Sequence, residues 1–201
     1  MENVLYDKQI LRFGKMTGRV SMASSYGEDA SKQALRSAYI TLPTLSPSHQ
    51  ARLDGDVLVH LRMLPEYRAC KLLLAFPSQR EEADTLGAVK QARTDGKTVA
   101  IPTFANDGKI TFSLEDGSPL DADETELAAS VCLVPGLIFD AQGYRVAYNA
   151  GYVDNFLVGY PGCKVSLART VHIGSNPLPH DAHDVPVDVL VSDAAVWRCR
   201  R

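Results

Sequence analysis

The stretch from Val134 to Leu157, VPGLIFDAQGYRVAYNAGYVDNFL, restricts the possible folds of this chain more than any other. Just before and into it, Val131 to Pro135 is a short apolar run that fits a buried strand. Gly136 and the segment Asp140-Ala141-Gln142-Gly143 carry turn chemistry. Gly151 then opens a run whose apolar residues Tyr152, Val153, Phe156 and Leu157 suit one face of a short helix. The order is therefore strand, turn, loop, helix. The first N–H groups of a helix have no partner within it and point at whatever lies there, so this arrangement is a ready anion site. Arg145 adds a positive charge, and Asp154, one turn into the helix, could hold a divalent cation beside a phosphate.

The rest of the chain alternates between the two periodicities. Residues 29–42 predict a helix with Ala34, Leu35, Ala38 and Tyr39 on one side. A second helix, 47–64, starts at Ser46 as cap and Pro47 as first residue, carries the stripe Leu53, Val57, Leu61 and Leu64, and ends at Pro65. A third spans 85–95. Apolar runs at 71–76, 98–102, 163–168 and 189–191 predict strands, and Asn106-Asp107-Gly108 predicts a hairpin turn between 103–105 and 109–114. Segments 115–130 and 176–186 read as loops, and Trp197 with the basic residues Arg198, Arg200 and Arg201 as a terminal edge with solvated charge. The expectation is one α/β domain over residues 29–201 with a mostly parallel sheet, preceded by a flexible leader over 1–28.

Composition enters through what it excludes. The net charge of −3 argues against a nucleic-acid surface, and no apolar run approaches the length of a membrane span. The leader lacks the continuous apolar segment of a secretory signal. Cys70, Cys132, Cys163 and Cys199 are widely spread with no C-x-x-C pair, which predicts reduced thiols and a cytoplasmic protein. The cluster His180-Asp181-Ala182-His183-Asp184 matches no tetrahedral zinc spacing and reads as a histidine-bearing loop.

Two charged groups stay open on the residues alone. Lys32 and Arg36 share a helix face: either that face is solvated, or an anion lies between them. Glu81, Glu82 and Asp84 precede a helix, where acids offset its dipole and Asp84 or Thr85 caps. They also follow a strand, and open α/β sheets bind ligands at that end.

Taken together, these segments are similar to the 5-formyltetrahydrofolate cyclo-ligase (methenyltetrahydrofolate synthetase) family, over residues 30–193. Members carry a segment like VPGxxFDxxGxRLGxGxGYYDxxL, matched here at Val134-Pro135-Gly136, Phe139-Asp140, Gly143, Arg145, Gly151-Tyr152, Asp154 and Leu157. Lys32 to Arg36 matches the family's K-x-x-L-R, Glu82 the first Glu of its E-x-[E/D]-T, Gly96-Lys97 to Pro102 its GKxxxxP, and Asp184 the Asp of its closing HDVPVD. Where the family loop has Gly-x-Gly this chain has Ala147 and Asn149, where it has a second Tyr there is Val153, and Gly117-Ser118-Pro119-Leu120 lacks the acid of the family's Ile-x-Glu-Pro.

The resemblance implies a three-layer α/β/α fold shared with sugar-phosphate isomerases and CoA transferases. It also implies ATP- and magnesium-dependent cyclisation of 5-formyltetrahydrofolate to 5,10-methenyltetrahydrofolate by a monomer. Lys32, Arg36, Arg145, Ala147, Asn149 and Gly151 would meet ATP; Glu82, Tyr148 and Tyr152 would place the reduced folate; Asp154 and Asp184 would hold magnesium. The residues assign no catalytic nucleophile: there is no G-x-S-x-G and no cysteine in a reactive setting. The loop substitutions and the missing acid favour a second reading, a catalytically impaired relative that binds nucleotide or folate as a regulatory or interaction module. The retained charges favour the enzyme, because charges are costly to bury unpaired.

Overall fold

A computed structural model describes residues 30–40, 45–79, 81–104, 109–148 and 150–199. The leader, the Asn106-Asp107-Gly108 turn, Asn149, Arg200 and Arg201 lie outside these residues.

The strands are β1 (Leu72–Ala75), β2 (Thr98–Phe104), β3 (Ile110–Ser113), β4 (Val131–Leu133), β5 (Ile138–Phe139), β6 (Arg145–Val146), β7 (Cys163–Ala168), β8 (Val189–Ser192) and β9 (Val196–Arg198). The helices are α1 (Ala30–Ile40), α2 (Pro47–Met63), α3 (Pro65–Ala69), α4 (Thr85–Thr94), α5 (Glu124–Ala128) and α6 (Ala150–Val158), with a 3₁₀ turn at Thr170–His172. One seven-stranded sheet has the order β3-β2-β1-β4-β7-β8-β9. Its five inner strands run parallel, and β3 and β9 close the two edges antiparallel.

Side-chain parity separates the layers. Leu73, Ala75, Val99, Ile101, Val131, Leu133, Val165 and Val189 face Val57 and Leu61 of α2, Tyr67 of α3 and Ala88, Val89 and Ala92 of α4. The alternate residues Leu72, Leu74, Ala100, Cys132 and Val134 face Val153 and Leu157 of α6 and Leu127 of α5. A strand buried on both faces needs apolar residues at every position, which is why these read as unbroken apolar runs. The result is the expected three-layer α/β/α arrangement.

Three details differ from the sequence expectation. Residues 124–128 form α5 inside the expected loop, started by a reciprocal capping box between Asp123 and Glu126. Pro65 ends α2 and also opens α3. In α1, Ala34 and Ala38 are exposed, and the inward side carries Lys32, Leu35, Arg36 and Tyr39. Leu35 and Tyr39 pack on Leu137, Ile138, Val146 and Leu178. The reason is the docking partner: α1 lies on the small β5–β6 ribbon, an element too short to show a period.

That ribbon stands between β4 and α6, so the strand does not feed the helix directly. Two glycines permit it. A Cβ on Gly136 would meet the Phe139 ring at 2.4 Å. Gly143 has φ +89° and Val187 O within 2.5 Å of where its Cβ would be. Asp140 closes the turn, accepting from the N–H groups of Gln142, Tyr144 and, across the chain, Leu178.

Candidate functional site

The connection leaving β1 runs through α4 to β2 on one side, and that leaving β4 runs through the ribbon and α6 to β7 on the other. The crevice between β1 and β4 is thus a topological switch point, the place where open α/β sheets receive ligands. Glu82 follows β1; Arg145, Tyr148 and Asp154 follow β4. Separate segments bring in Lys32 and Asp184.

Arg145 and Asp154 form the buried centre. Arg145 Nη2 donates to Asp154 Oδ1 at 3.0 Å, and Nη1 donates to the Val185 carbonyl at 2.8 Å. Asp154 Oδ1 also accepts from the Val185 N–H at 3.0 Å. Burial raises the Asp154 carboxyl above its ordinary range, the Arg145 charge opposes that, and the negative charge of Asp184 adds to it. The bond from the Val185 N–H, the residue after Asp184, brings that segment against Asp154. Arg145 Nε is buried with no hydrogen-bond partner, the one such side-chain nitrogen or oxygen among the described residues. An unpaired buried donor costs about 1–3 kcal/mol and marks a place where something other than stability decides.

Lys32 pairs with Asp184 and lies 3.5 Å from Asp181. Arg36 donates through Nε and Nη2 to the Ala147 carbonyl, at 3.2 and 2.8 Å. Their shared helix face is therefore turned inward onto protein acceptors. Ala147 is buried, and among the described residues no non-glycine has positive φ, so the loop has an ordinary backbone there. Asn149, the second departure from the family loop, lies outside the described residues. Gly151 sits in the first turn of α6 with open space where a Cβ would stand, and Tyr152 beside it is exposed.

On the β1 side, Glu82 is 4% exposed and accepts from the Gln79 N–H at 2.7 Å. Burial pushes its carboxyl up to about 7; the Gln79 N–H and Arg145 lower it, and Glu81 raises it. Tyr148 donates to Glu81 Oε2 at 3.0 Å, which ties the ribbon-to-α6 loop to the turn after β1. Burial, then the Glu81 charge, raises the Tyr148 phenol well above its usual value. Asp84 caps α4, accepting from the Leu86 and Gly87 N–H groups.

The HDAHD segment is held without a metal cluster: among the described residues no group of three or more His, Cys, Asp or Glu side chains could enclose an ion. His180 stacks on Tyr144 with ring centroids 3.7 Å apart, and Asp181 accepts from the His183 N–H. For magnesium the requirement is lighter. It needs one or two carboxylates, the remaining positions going to water and substrate phosphates, and the pair Asp154 and Asp184 fits that donor set.

Sequence reasoning placed Glu81 among the acids after β1 without a partner, and missed Asp54 and Arg169. Asp54 and Arg169 form an ion pair, 2.8 Å at the closest, across 115 positions of sequence, and no local spacing signals it.

Comparison with known proteins places the chain in one family and fold. A probable 5-formyltetrahydrofolate cyclo-ligase of Schizosaccharomyces pombe is 24% identical over 67% of this chain and 81% of its own. The solved 5,10-methenyltetrahydrofolate synthetase of Aquifex aeolicus superposes with a TM-score of 0.69 at 26% identity, covering 85% of this chain and 93% of that one. The enzyme of the same name from Mycoplasma pneumoniae shares the fold, with a TM-score of 0.68 at 20% identity over 81% and 98% of the two chains. The family model for 5-formyltetrahydrofolate cyclo-ligases matches residues 28–193, from just before the Lys32 helix to just past β8, and the chain belongs to that family of ligases.

Proposed function

We propose that this protein uses ATP and magnesium to close 5-formyltetrahydrofolate into 5,10-methenyltetrahydrofolate. The observation that supports this best is the convergence at the switch point of an anion-receiving side and a donor-receiving side. Lys32, Arg36 and Arg145 lie with Asp154 and Asp184 on one side, and the buried Glu82 on the other.

The formyl oxygen attacks the γ-phosphorus of ATP, and ADP leaves. The neighbouring folate N–H nitrogen then attacks the activated carbon; the ring closes as phosphate departs, and the nitrogen's proton leaves with the phosphate. The protein's contribution to phosphoryl transfer is position and charge. Lys32 and Arg36 now rest on Asp184 and the Ala147 carbonyl, and would exchange those acceptors for phosphate oxygens. Magnesium, held by Asp154 and Asp184, would neutralise phosphate charge. Glu82 in its ionised form accepts from the N–H donors of the pterin, a charge-assisted contact. Tyr148 and Tyr152 would serve as walls for the ring.

The test is the appearance of methenyl product by absorbance. Turnover should require ATP and magnesium together; turnover without ATP, or none at high enzyme concentration, overturns the reading. One observation favours the impaired relative: the buried Ala147 carbonyl is already engaged by Arg36. Calorimetric binding of ATP or folate without turnover would establish that alternative.

A further inference from the structure

Arg169 stands where the chain leaves β7, and it is 3% exposed. Its Nε and Nη2 donate to the two carboxylate oxygens of Asp54 on α2, at 3.0 and 2.8 Å. Its remaining arm, Nη1, donates to the Glu81 carbonyl at 3.1 Å. The planar fork is used on two sides: the carboxylate fixes its plane against α2, and the third nitrogen is then aimed at the turn after β1.

That turn is also packed into the core through Ala83, and its hydrogen bonds run in three directions. The Glu82 N–H donates to the Gln79 carbonyl at 3.1 Å, and the Gln79 N–H to Glu82 Oε2 at 2.7 Å. Both bonds are internal and give the turn its shape, not its place. Ser78 and Thr85 exchange bonds at 2.9 and 3.2 Å, which joins the turn to the start of α4. Towards the ribbon it is tied through Glu81 and Tyr148. Arg169 supplies the anchor from the β7 side, one residue from the Glu82 carboxylate. A buried ion pair is a poor stabiliser compared with apolar packing, so stability alone does not explain a pair here; its strength is directional.

We propose that Arg169, oriented by Asp54, is a positioning residue for Glu82: it holds the turn in register so that the carboxylate meets the pterin. This rests on Glu82 receiving the folate, as proposed above. Arg169 itself touches no substrate and acts through the Glu81 carbonyl.

The test is Arg169→Lys in the full-length protein. Lysine keeps the charge beside Asp54 but cannot pair two oxygens and reach the carbonyl in one fixed plane. The KM for 5-formyltetrahydrofolate should rise roughly tenfold, the scale set by a small misplacement of a binding group, with the KM for ATP and the kcat nearly unchanged. Hydrogen exchange should speed up in residues 78–83 and not in α2 or β7. In a Glu82→Gln background, Arg169→Lys should leave the folate KM where Glu82→Gln put it, because the positioned group is already gone. Unchanged exchange over 78–83, an equal rise in both KM values, or full additivity with Glu82→Gln overturns the proposal. Should Arg169→Lys fail to fold, Asp54→Asn is read in the same way. A wild-type protein that neither binds nor converts 5-formyltetrahydrofolate sinks the cyclo-ligase reading, while exchange over 78–83 still decides whether Arg169 holds the turn.

Discussion

Glu82 carries opposite demands at a single residue. Its burial pushes the carboxyl up from 4.5 to about 7, so the folded protein resists the ionised form that binding would use. Below the unfolded value the group is protonated in both states and costs nothing extra. As pH rises through the folded value, the native protein must hold a buried anion, and stability falls. Glu82→Gln removes that penalty and keeps an acceptor for the Gln79 N–H. It should be more stable than wild type by up to ~3 kcal/mol at about pH 8, the gap closing towards pH 4.5. Urea denaturation at both ends of the range checks this; a variant less stable than wild type at the upper end would refute it. The same variant should lose folate affinity, a trade of stability against function.

Asp154 and Asp184 also part company at this scale. Asp154 is buried against Arg145 and the Val185 N–H, so Asp154→Asn should destabilise by on the order of 2–3 kcal/mol by leaving the guanidinium short of a counter-charge. The Asp184 side chain is less buried, and its partner Lys32 also reaches Asp181, so Asp184→Asn should cost less stability than Asp154→Asn. Magnesium dependence is therefore best read on Asp184→Asn, in a titration of ATP turnover against magnesium. An unaltered titration curve removes Asp184 from the metal site.

At the scale of elements, the loop before α6 is the instructive case. The family's glycines suggest a backbone needing positive φ, yet Ala147 has none and its side chain is buried. Replacing it with glycine relieves no strain. Ala147→Gly should leave ATP affinity unchanged or weaker, and cost ~1 kcal/mol through chain entropy and lost packing. Tighter binding by calorimetry would refute this. Gly143 is the contrasting position. Its φ of +89° and the Val187 carbonyl at 2.5 Å leave no room for a side chain. Gly143→Ala should lower stability by at least ~2 kcal/mol, seen as a shifted denaturation midpoint, because strain and overpacking add. The sequence marked these elements unevenly. Ser46-Pro47 announced α2 and Asp84 announced α4, since caps are local chemistry. The Asp123-x-x-Glu126 box announced α5 as plainly, but the acidic surroundings masked it. The ribbon strands, two residues each, were too short to carry a period.

For the molecule as a whole, the sheet explains both the thiols and the site. Cys132 lies in β4 and Cys70 just before β1, both buried; burial pushes the half-buried Cys163 and Cys199 thiols up to about 11. The native protein should react slowly with Ellman's reagent and release all four thiols on unfolding. Two or more fast-reacting thiols in the native state would contradict this.

What the sequence determined by itself was the layered α/β fold, the family, and the places along the chain where charges gather. Each of these follows from local repetition: apolar runs long enough for buried strands, stripes at helical spacing, and glycines matched to one motif. The tertiary structure alone decided what those charges touch. Lys32 and Asp184 are separated by 152 positions, Arg36 and Ala147 by 111, and Arg169 and Asp54 by 115. Contacts of that separation have no spacing rule, because the sheet order brings them together and the order is set by which apolar faces pack.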